Sequence, residues 1–152
     1  MILADTSVWV DHLRRSDTAL RAALEANEIC IHPMVIGELA CGNLRNRTIL
    51  AHLQLLPQAT VATHDEALAM IEQHKLMGRG VGFVDVHLLA SAKLSKAMLW
   101  TRDRRLVAIG QSLGSRRPQV DYAEYEFLAR LIPRTGAWQP QGLCARRRLD
   151  EI

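Results

Sequence analysis

Four acidic residues of this chain occupy positions from which carboxylates can do chemistry. Asp5 directly follows a short apolar run, Asp103 comes two residues after another, and Asp85 begins a segment rich in Leu and Ala. Glu38 lies inside the otherwise apolar stretch 35–41. Each aspartate also has an ordinary explanation, because Asp is a preferred N-cap of helices. Glu38 lies either on a narrow exposed stripe or partly buried, and buried carboxylates are rare unless they are paired or bound to a cation.

Taken together, the four acids restrict what their surroundings can be. In an open parallel sheet, ligands bind at the carboxyl ends of the strands, and we expect all four acids to converge on a cleft at that edge. Two carboxylates about 4 Å apart repel each other by about 4 kcal/mol at an effective dielectric constant of about 20. Such a cluster needs protons, basic side chains or a metal ion. Oxygen ligands alone select Mg²⁺ or Mn²⁺, no His has zinc-type spacing, and a hydrated divalent ion indicates phosphate chemistry.

The elements that must position these acids alternate between short strands and helices. Apolar and β-branched runs predict strands at 1–4, 28–31 and 98–101, with 60–62 as a brief strand or an extended link. Helical periodicity predicts helices over 8–24, 34–43, 45–56, 64–77, 86–97 and 106–113. This alternation predicts an α/β fold with a parallel, helix-covered sheet.

Composition narrows the class of protein. The chain has 152 residues, 49% hydrophobic and 23% charged, which is typical of globular proteins and excludes disorder, collagen and coiled coil. It has no membrane-length apolar run and no basic region of a signal peptide, so we expect a cytoplasmic protein without membrane association. The three cysteines fit neither a disulfide framework nor a zinc site, and Cys30 and Cys41 are predicted as small core residues.

The character of the sequence changes after residue 114. Residues 121–132 have the pattern of a helix, and four Pro and Gly residues then interrupt the segment 133–142. We therefore predict a domain over 1–114 that carries the acids, followed by a C-terminal helix and an irregular tail over 115–152.

Four stretches around the acids carry a family resemblance. They read ILADTSVW at 2–9, GELACG at 37–42, FVDVHLLASA at 83–92 and LWTRDRRL at 99–106. In this order they resemble the PIN-domain ribonucleases, and most of all the VapC toxins of bacterial toxin–antitoxin pairs. The resemblance covers about residues 1–114 and no family pattern is recognised in the rest.

The resemblance implies a fold, an activity and a set of site residues. The fold would be a PIN-like α/β/α sandwich with a short twisted parallel sheet, and the activity Mg²⁺- or Mn²⁺-dependent hydrolysis of RNA. The matching metal-binding acids are Asp5, Asp85 and Asp103, while Glu38 matches the glutamate that positions a metal-bound water. The matching site hydroxyls are Thr6, Ser7 and Thr101.

Partners follow from the same resemblance. VapC toxins usually form homodimers, and a VapB-type antitoxin silences them in a larger assembly. Arginines are suited to the RNA backbone, and those predicted near the cleft are Arg14, Arg15, Arg102 and Arg104. Trp9 and Trp100 lie within apolar runs and are predicted to pack in the core rather than to stack on bases.

Two other functions are compatible with an acidic cleft. A phosphotransfer protein with Asp5 as nucleophile is disfavoured, because phosphatases of that kind have a second Asp where this chain has Ser7. A catalytically silent PIN-fold module would use the same acids only to dock a basic segment of a partner. The presence of all four acids favours the enzyme over that module.

Overall fold

A computed structural model describes residues 1–114 of the protein. Its sheet has three short strands, β1 (Ile2–Ala4), β2 (Ile29–Cys30) and β3 (Met98–Trp100), in the order β2-β1-β3. Both pairings are parallel. Every residue of β1 and β2 is buried, as expected for parallel strands that are covered on both faces. The predicted helix over 121–132 and the predicted tail lie outside the described residues.

Helices connect and cover these strands. Within residues 1–114 they are α1 (Thr6–Arg15), α2 (Thr18–Glu25), α3 (Pro33–Cys41), α4 (Thr48–Leu53), α5 (His64–His74), α6 (Phe83–Leu94) and α7 (Arg104–Ser112). The alternation of helices with parallel strands confirms the predicted α/β class. None of these helices is long and apolar enough to cross a membrane.

The register of the sheet determines where the acids emerge. Ala4 pairs with Trp100 at the carboxyl ends of β1 and β3, and the Asp5 N–H continues the ladder by donating to the Trp100 carbonyl oxygen at 2.9 Å. The chain therefore leaves β1 and β3 at the same edge of the sheet. Asp5 and Asp103 begin their helices from this edge.

One predicted helix is two helices in the structure. The apolar period over 8–24 continues through a break at Ser16, which adopts a left-handed conformation with φ of 54°. Asp17 then caps α2 by accepting from the N–H groups of Ala19 at 2.9 Å and Leu20 at 3.1 Å. The period does not reveal the break because α1 and α2 both turn their apolar faces to the same core.

Other predicted boundaries were also wrong. The helix predicted over 45–56 is only α4, because Asn46 accepts from both the N–H and the hydroxyl of Thr48 and starts the helix there. The helix predicted to reach residue 77 ends at Lys75, which has φ of 51°. Of the two alternatives for residues 60–62, the structure has the link and not the strand, and Gln58 makes a single parallel bridge with Ile31.

The two helices nearest the acids begin earlier than predicted. Helix α6 starts at Phe83 rather than at residue 86, and α7 starts at Arg104 rather than at residue 106. Asp85 is consequently not an N-cap but a residue of the first turn of α6, whereas Asp103 is the N-cap of α7.

The prediction for the two cysteines was right for one of them. Cys30 is buried in β2, but Cys41 is exposed at the end of α3. Val35 and Leu39, four residues apart, define the buried face of that helix. Cys41 is two residues beyond Leu39 and therefore points away from the buried face.

Helix α6 is the central helix of the core. All seven of its residues from 86 to 92 are buried, including the polar His87 and Ser91. The Ser91 hydroxyl oxygen lies 3.0 Å from His32 Nε2 and accepts from the Ala62 N–H at 3.0 Å. The other ring nitrogen of His32 accepts from the Met34 N–H at 3.1 Å and so caps α3. This arrangement requires the proton of neutral His32 to be on Nε2, from which it is donated to Ser91.

Candidate functional site

Asp5 is the most deeply buried of the four acids, with 6% of its surface exposed. It is the N-cap of α1, and its Oδ1 accepts from the Thr6 N–H at 2.6 Å. Its Oδ2 accepts from the hydroxyls of Ser7 at 2.6 Å and Thr101 at 2.8 Å. This confirms the interpretation of Asp5 as a helix cap. Donors from α1 and from Thr101 together fix the orientation of its carboxylate.

Asp103 lies across the sheet edge from Asp5. Its Oδ1 accepts from the N–H groups of Arg105 at 2.7 Å and Leu106 at 3.2 Å, which confirms that it caps α7. Its own N–H donates to the Thr101 hydroxyl oxygen at 3.1 Å. Among the described residues, the second carboxylate oxygen of Asp103 accepts no hydrogen bond.

Asp85 shows most directly that the acids share one region. Burial raises the pKa of its carboxyl group, and the charges of Asp5, Asp103 and Glu38 raise it further, against the opposing effect of a hydrogen bond from the Gly82 N–H at 2.8 Å. Carboxylates influence one another in this way only when they are close. The other three acids, drawn from three separate segments of the chain, are therefore close enough to Asp85 for their charges to act on its carboxyl group.

Glu38 joins this group from α3. Its side chain lies on the exposed stripe of the helix and accepts a short hydrogen bond from the Thr6 hydroxyl. Thr6 is the first residue of α1, directly after Asp5. Val35 and Leu39 of α3 therefore face the core while the Glu38 carboxylate turns toward the edge that carries Asp5.

The three hydroxyls predicted at the site all contact its carboxylates. Thr6 donates to Glu38, whereas Ser7 and Thr101 donate to Asp5. Ser7 Oγ also accepts from the Arg102 N–H at 3.0 Å, which connects α1 to the segment after β3. Their participation in chemistry stays a prediction.

The donor set has the chemistry that a hard divalent cation requires, because it consists of oxygen atoms whose charges repel one another. Burial is the main cause of the raised pKa of Asp85 and that repulsion adds to it, so a bound cation would favour the charged form of the carboxyl group. Within residues 1–114, however, no three His, Cys, Asp or Glu side chains are arranged as a ready coordination sphere. The other three acids thus act on Asp85 through their charges, but the side chains are not preassembled around a metal position.

The four arginines predicted near the cleft fall into two groups. Arg102 forms ion pairs with Asp11, at 2.7 Å from Nε to Oδ2, and with Asp17. Arg14, Arg15 and Arg104 are exposed and make no side-chain hydrogen bond or ion pair within the part of the chain that the structure describes. The carboxylates that hold Arg102 were missed, because nothing in the sequence joins positions 11 and 17 to position 102.

The tryptophans lie as the apolar runs indicated. Trp9 is buried with 2% of its surface exposed, and Trp100 is half-buried against the core. Both therefore pack in the core, as predicted.

The sequence is similar to one protein family and to named relatives. Residues 2–111 match the family model described as PIN domain. The chain is 48% identical over 110 residues to proteins named Ribonuclease VapC32 from two strains of Mycobacterium tuberculosis, CDC 1551 and H37Rv. Each match covers 71% of this chain and 89% of the relative. The matched family segment contains all four carboxylates.

Proposed function

The chain belongs to the PIN-domain family, and we propose that it is a divalent-metal-dependent endoribonuclease of the VapC type, the toxin of a toxin–antitoxin pair. The observation that carries the proposal is the arrangement of the acids: the Thr101 hydroxyl joins Asp5 to Asp103, Thr6 donates to Glu38, and the charges of these three acids act on the carboxyl group of Asp85. Four interacting acids at a sheet edge can hold a divalent ion, which provides the chemistry for hydrolysing a phosphodiester. The ribonuclease names of the relatives support the same activity.

Asp5, Asp85 and Asp103 would hold the ion, which is Mg²⁺ or Mn²⁺. When bound, such an ion lowers the pKa of water and neutralises charge on the phosphate oxygens. In the proposed reaction, water attacks phosphorus in line with the departing sugar oxygen, so one P–O bond forms as the other breaks. Glu38 orients that water and takes its proton, and the departing sugar oxygen takes up a proton from solvent.

The three hydroxyls hold two of the carboxylates in fixed orientations for this chemistry. Ser7 and Thr101 hold the Asp5 carboxylate, and Thr6 holds Glu38. Arg14, Arg15 and Arg104 attract the RNA backbone, an attraction that weakens with salt because bound phosphates release counterions. In this proposal the acids carry out the reaction and the exposed arginines bind the substrate.

Substitution of Asp85 tests the proposal. The variant Asp85→Asn keeps an acceptor for the Gly82 N–H and removes the charge, so Mn²⁺-dependent cleavage of RNA should fall by about 100-fold or more. Asp65→Asn is the matched control, since Asp65 is an exposed acid in the first turn of α5 whose side chain forms no hydrogen bond with any residue that the structure describes. Undiminished cleavage by Asp85→Asn would overturn the acid-centred mechanism. Binding of a basic peptide by a wild-type protein that does not cleave RNA in Mn²⁺ would instead favour the silent binding module.

The partners are part of the same proposal. We expect a homodimer, acting in the cytoplasm, and a VapB-type antitoxin whose basic segment covers the acids. Expression of the chain alone should arrest growth, whereas Asp85→Asn should not. A small neighbouring reading frame that relieves the arrest would identify the antitoxin. Growth that continues with a well-expressed, RNA-cleaving protein would contradict the toxin role.

A further inference from the structure

The segment that carries Asp103 is held from two sides by arginines. Arg102 precedes Asp103 and pairs with Asp11 of α1 and with Asp17, the N-cap of α2. Arg105 follows two residues later, and its Nη1 donates to the Gly80 carbonyl oxygen at 3.2 Å. Arg104 stands between them and makes no such contact with any described residue.

The contact of Arg102 differs from an ordinary surface ion pair. The Asp17 side chain is only 8% exposed, and its two oxygens do different things: Oδ1 caps α2, while Oδ2 pairs with Arg102. Asp11 binds the same guanidinium through Nε. Two carboxylates thus neutralise the guanidinium of Arg102 and hold it in a fixed geometry. This arrangement orders the segment of Arg102 rather than leaving the guanidinium free to bind a further anion.

The contact of Arg105 leads toward Asp85. Gly80 has φ of +73°, and a Cβ atom placed there would come within 2.8 Å of Arg105 Nη1. Two residues further on, the Gly82 N–H donates to Asp85. Arg105 therefore joins the helix that Asp103 caps to the loop that leads into Asp85.

We propose that Arg102 and Arg105 are positioning residues that clamp Asp103 between the α1–α2 corner and the loop before Asp85, and that Arg104 alone of the three faces RNA. The inference rests on the proposed nuclease function. It reassigns Arg102 from substrate binding to alignment of the acids. The Thr101 hydroxyl already joins Asp5 to Asp103. The contacts of Arg102 and Arg105 hold the same segment on either side of Asp103.

The first test compares Arg102→Gln, Arg104→Gln and Arg105→Gln, with Arg21→Gln on the exposed face of α2 as a neutral control. In metal-free protein, hydrogen exchange at residues 102–106 should accelerate about tenfold in the Arg102 and Arg105 variants only. The Mn²⁺ concentration for half-maximal cleavage should rise in these two variants while the KM for RNA stays constant. Arg104→Gln should instead raise KM and lower the salt dependence of RNA binding by about 0.7–0.9 in the log–log slope.

A second variant separates alignment from RNA contact. Asp11→Asn leaves Arg102 in place but removes the charge of one of its partners. A positioning role predicts that Asp11→Asn reproduces the raised Mn²⁺ requirement of Arg102→Gln, and that Arg102→Lys restores only part of the wild-type behaviour, because Lys lacks the planar fork. An RNA-binding role predicts the opposite, with tighter RNA binding by the released arginine.

Failure of the inference is distinguishable from failure of the proposed function. Wild-type protein without Mn²⁺-dependent cleavage would refute the nuclease, and hydrogen exchange would still report the clamp. Unchanged exchange in Arg102→Gln, or a salt dependence lowered as in Arg104→Gln, would overturn the clamp even if the wild type cleaves RNA.

Discussion

The Thr101 hydroxyl joins two acids, because it donates to Asp5 Oδ2 at 2.8 Å and accepts from the Asp103 N–H at 3.1 Å. Thr101 directly follows β3, and Asp5 directly follows β1. One buried oxygen atom therefore spans the adjacent ends of two parallel strands and sets the spacing of the acids beyond them.

Removal of this hydroxyl should impair cleavage more than folding. Thr101→Val keeps the shape of the side chain but leaves the Asp103 N–H without its acceptor and Asp5 Oδ2 without one of its donors, at a cost of about 1–2 kcal/mol in the free energy of unfolding. We expect cleavage to fall about tenfold or more, since Asp5 loses its contact with the segment that carries Asp103 and is oriented only from α1. Thr101→Ser is the control, measured by urea unfolding and by initial rates. A Thr101→Val enzyme as active as Thr101→Ser would contradict the expectation.

Loss of the Asp85 charge should stabilise the metal-free protein. The pKa of the Asp85 carboxyl is raised in the folded state, first by burial and then by its acidic neighbours, so the folded protein binds this proton more tightly than the unfolded chain does. Ionised Asp85 therefore lowers stability at neutral pH, and that penalty disappears as the pH falls through the raised pKa. Asp85→Asn should therefore unfold at a higher urea concentration than the wild type at pH 7 in EDTA.

The pH dependence of that gain is the check. Urea unfolding of Asp85→Asn and wild type should converge as the pH approaches the ordinary range of carboxyl groups, about 4. Asp65→Asn should show no such convergence. A gain that grows toward acid pH would have the wrong sign.

His32 should make stability depend on pH in the opposite sense. Burial, assisted by the charge of His87, lowers the pKa of the His32 ring from 6.5 to about 4. The unfolded chain takes up this proton below pH 6.5 and the folded protein does not, so the contribution is complete above pH 6.5 and is lost as the pH falls toward 4. The whole shift corresponds to about 3 kcal/mol.

The variant His32→Asn isolates this contribution, because Asn also caps helices but does not titrate. Unfolding free energies measured from pH 7 to pH 4 should decline less steeply in His32→Asn than in wild type. Parallel curves for the two proteins would show that His32 is not the group responsible.

Ser91→Ala should be strongly destabilising although it deletes a single oxygen atom. That atom accepts from His32 Nε2 and from the Ala62 N–H, both at 3.0 Å and both buried. Two buried donors without an acceptor cost about 2–4 kcal/mol. The matched control is Ser95→Ala at the C-cap of α6, four residues after Ser91, whose hydroxyl oxygen accepts from the exposed Thr60 N–H at 2.8 Å. Equal losses in thermal unfolding for the two variants would contradict the role assigned to burial.

Much of the site was predictable because it depends on local signals. An apolar run followed by Asp predicts both a strand end and a helix cap, and Asp5 and Asp103 are both. The parallel pairing of β1 with β3 then brings these two acids to one edge. The exposed stripe of α3 was one of the two alternatives for Glu38, and only the packing against α1 selects it.

The contacts that sequence reasoning missed depend on tertiary packing. Arg102 meets Asp11 and Asp17 because the chain turns at Ser16, and an apolar period shared by two helices does not report that turn. Cys41 was assigned to the core because hydrophobic character was read without the direction in which the residue faces. Direction around a helix is determined by the position of the buried face, which is known only once the neighbouring elements are placed.

The pairing of Ile2 with Met98 also affects when activity can arise during synthesis. A ribosome adds about 5–20 residues per second, so the nascent chain carries Asp5 for several seconds before Asp103 exists. During that time β1 has no β3 beside it, and the Thr101 hydroxyl that orients Asp5 has not been made. A polypeptide still being translated therefore lacks the assembled acidic edge, and so does any fragment made from a message broken before codon 98.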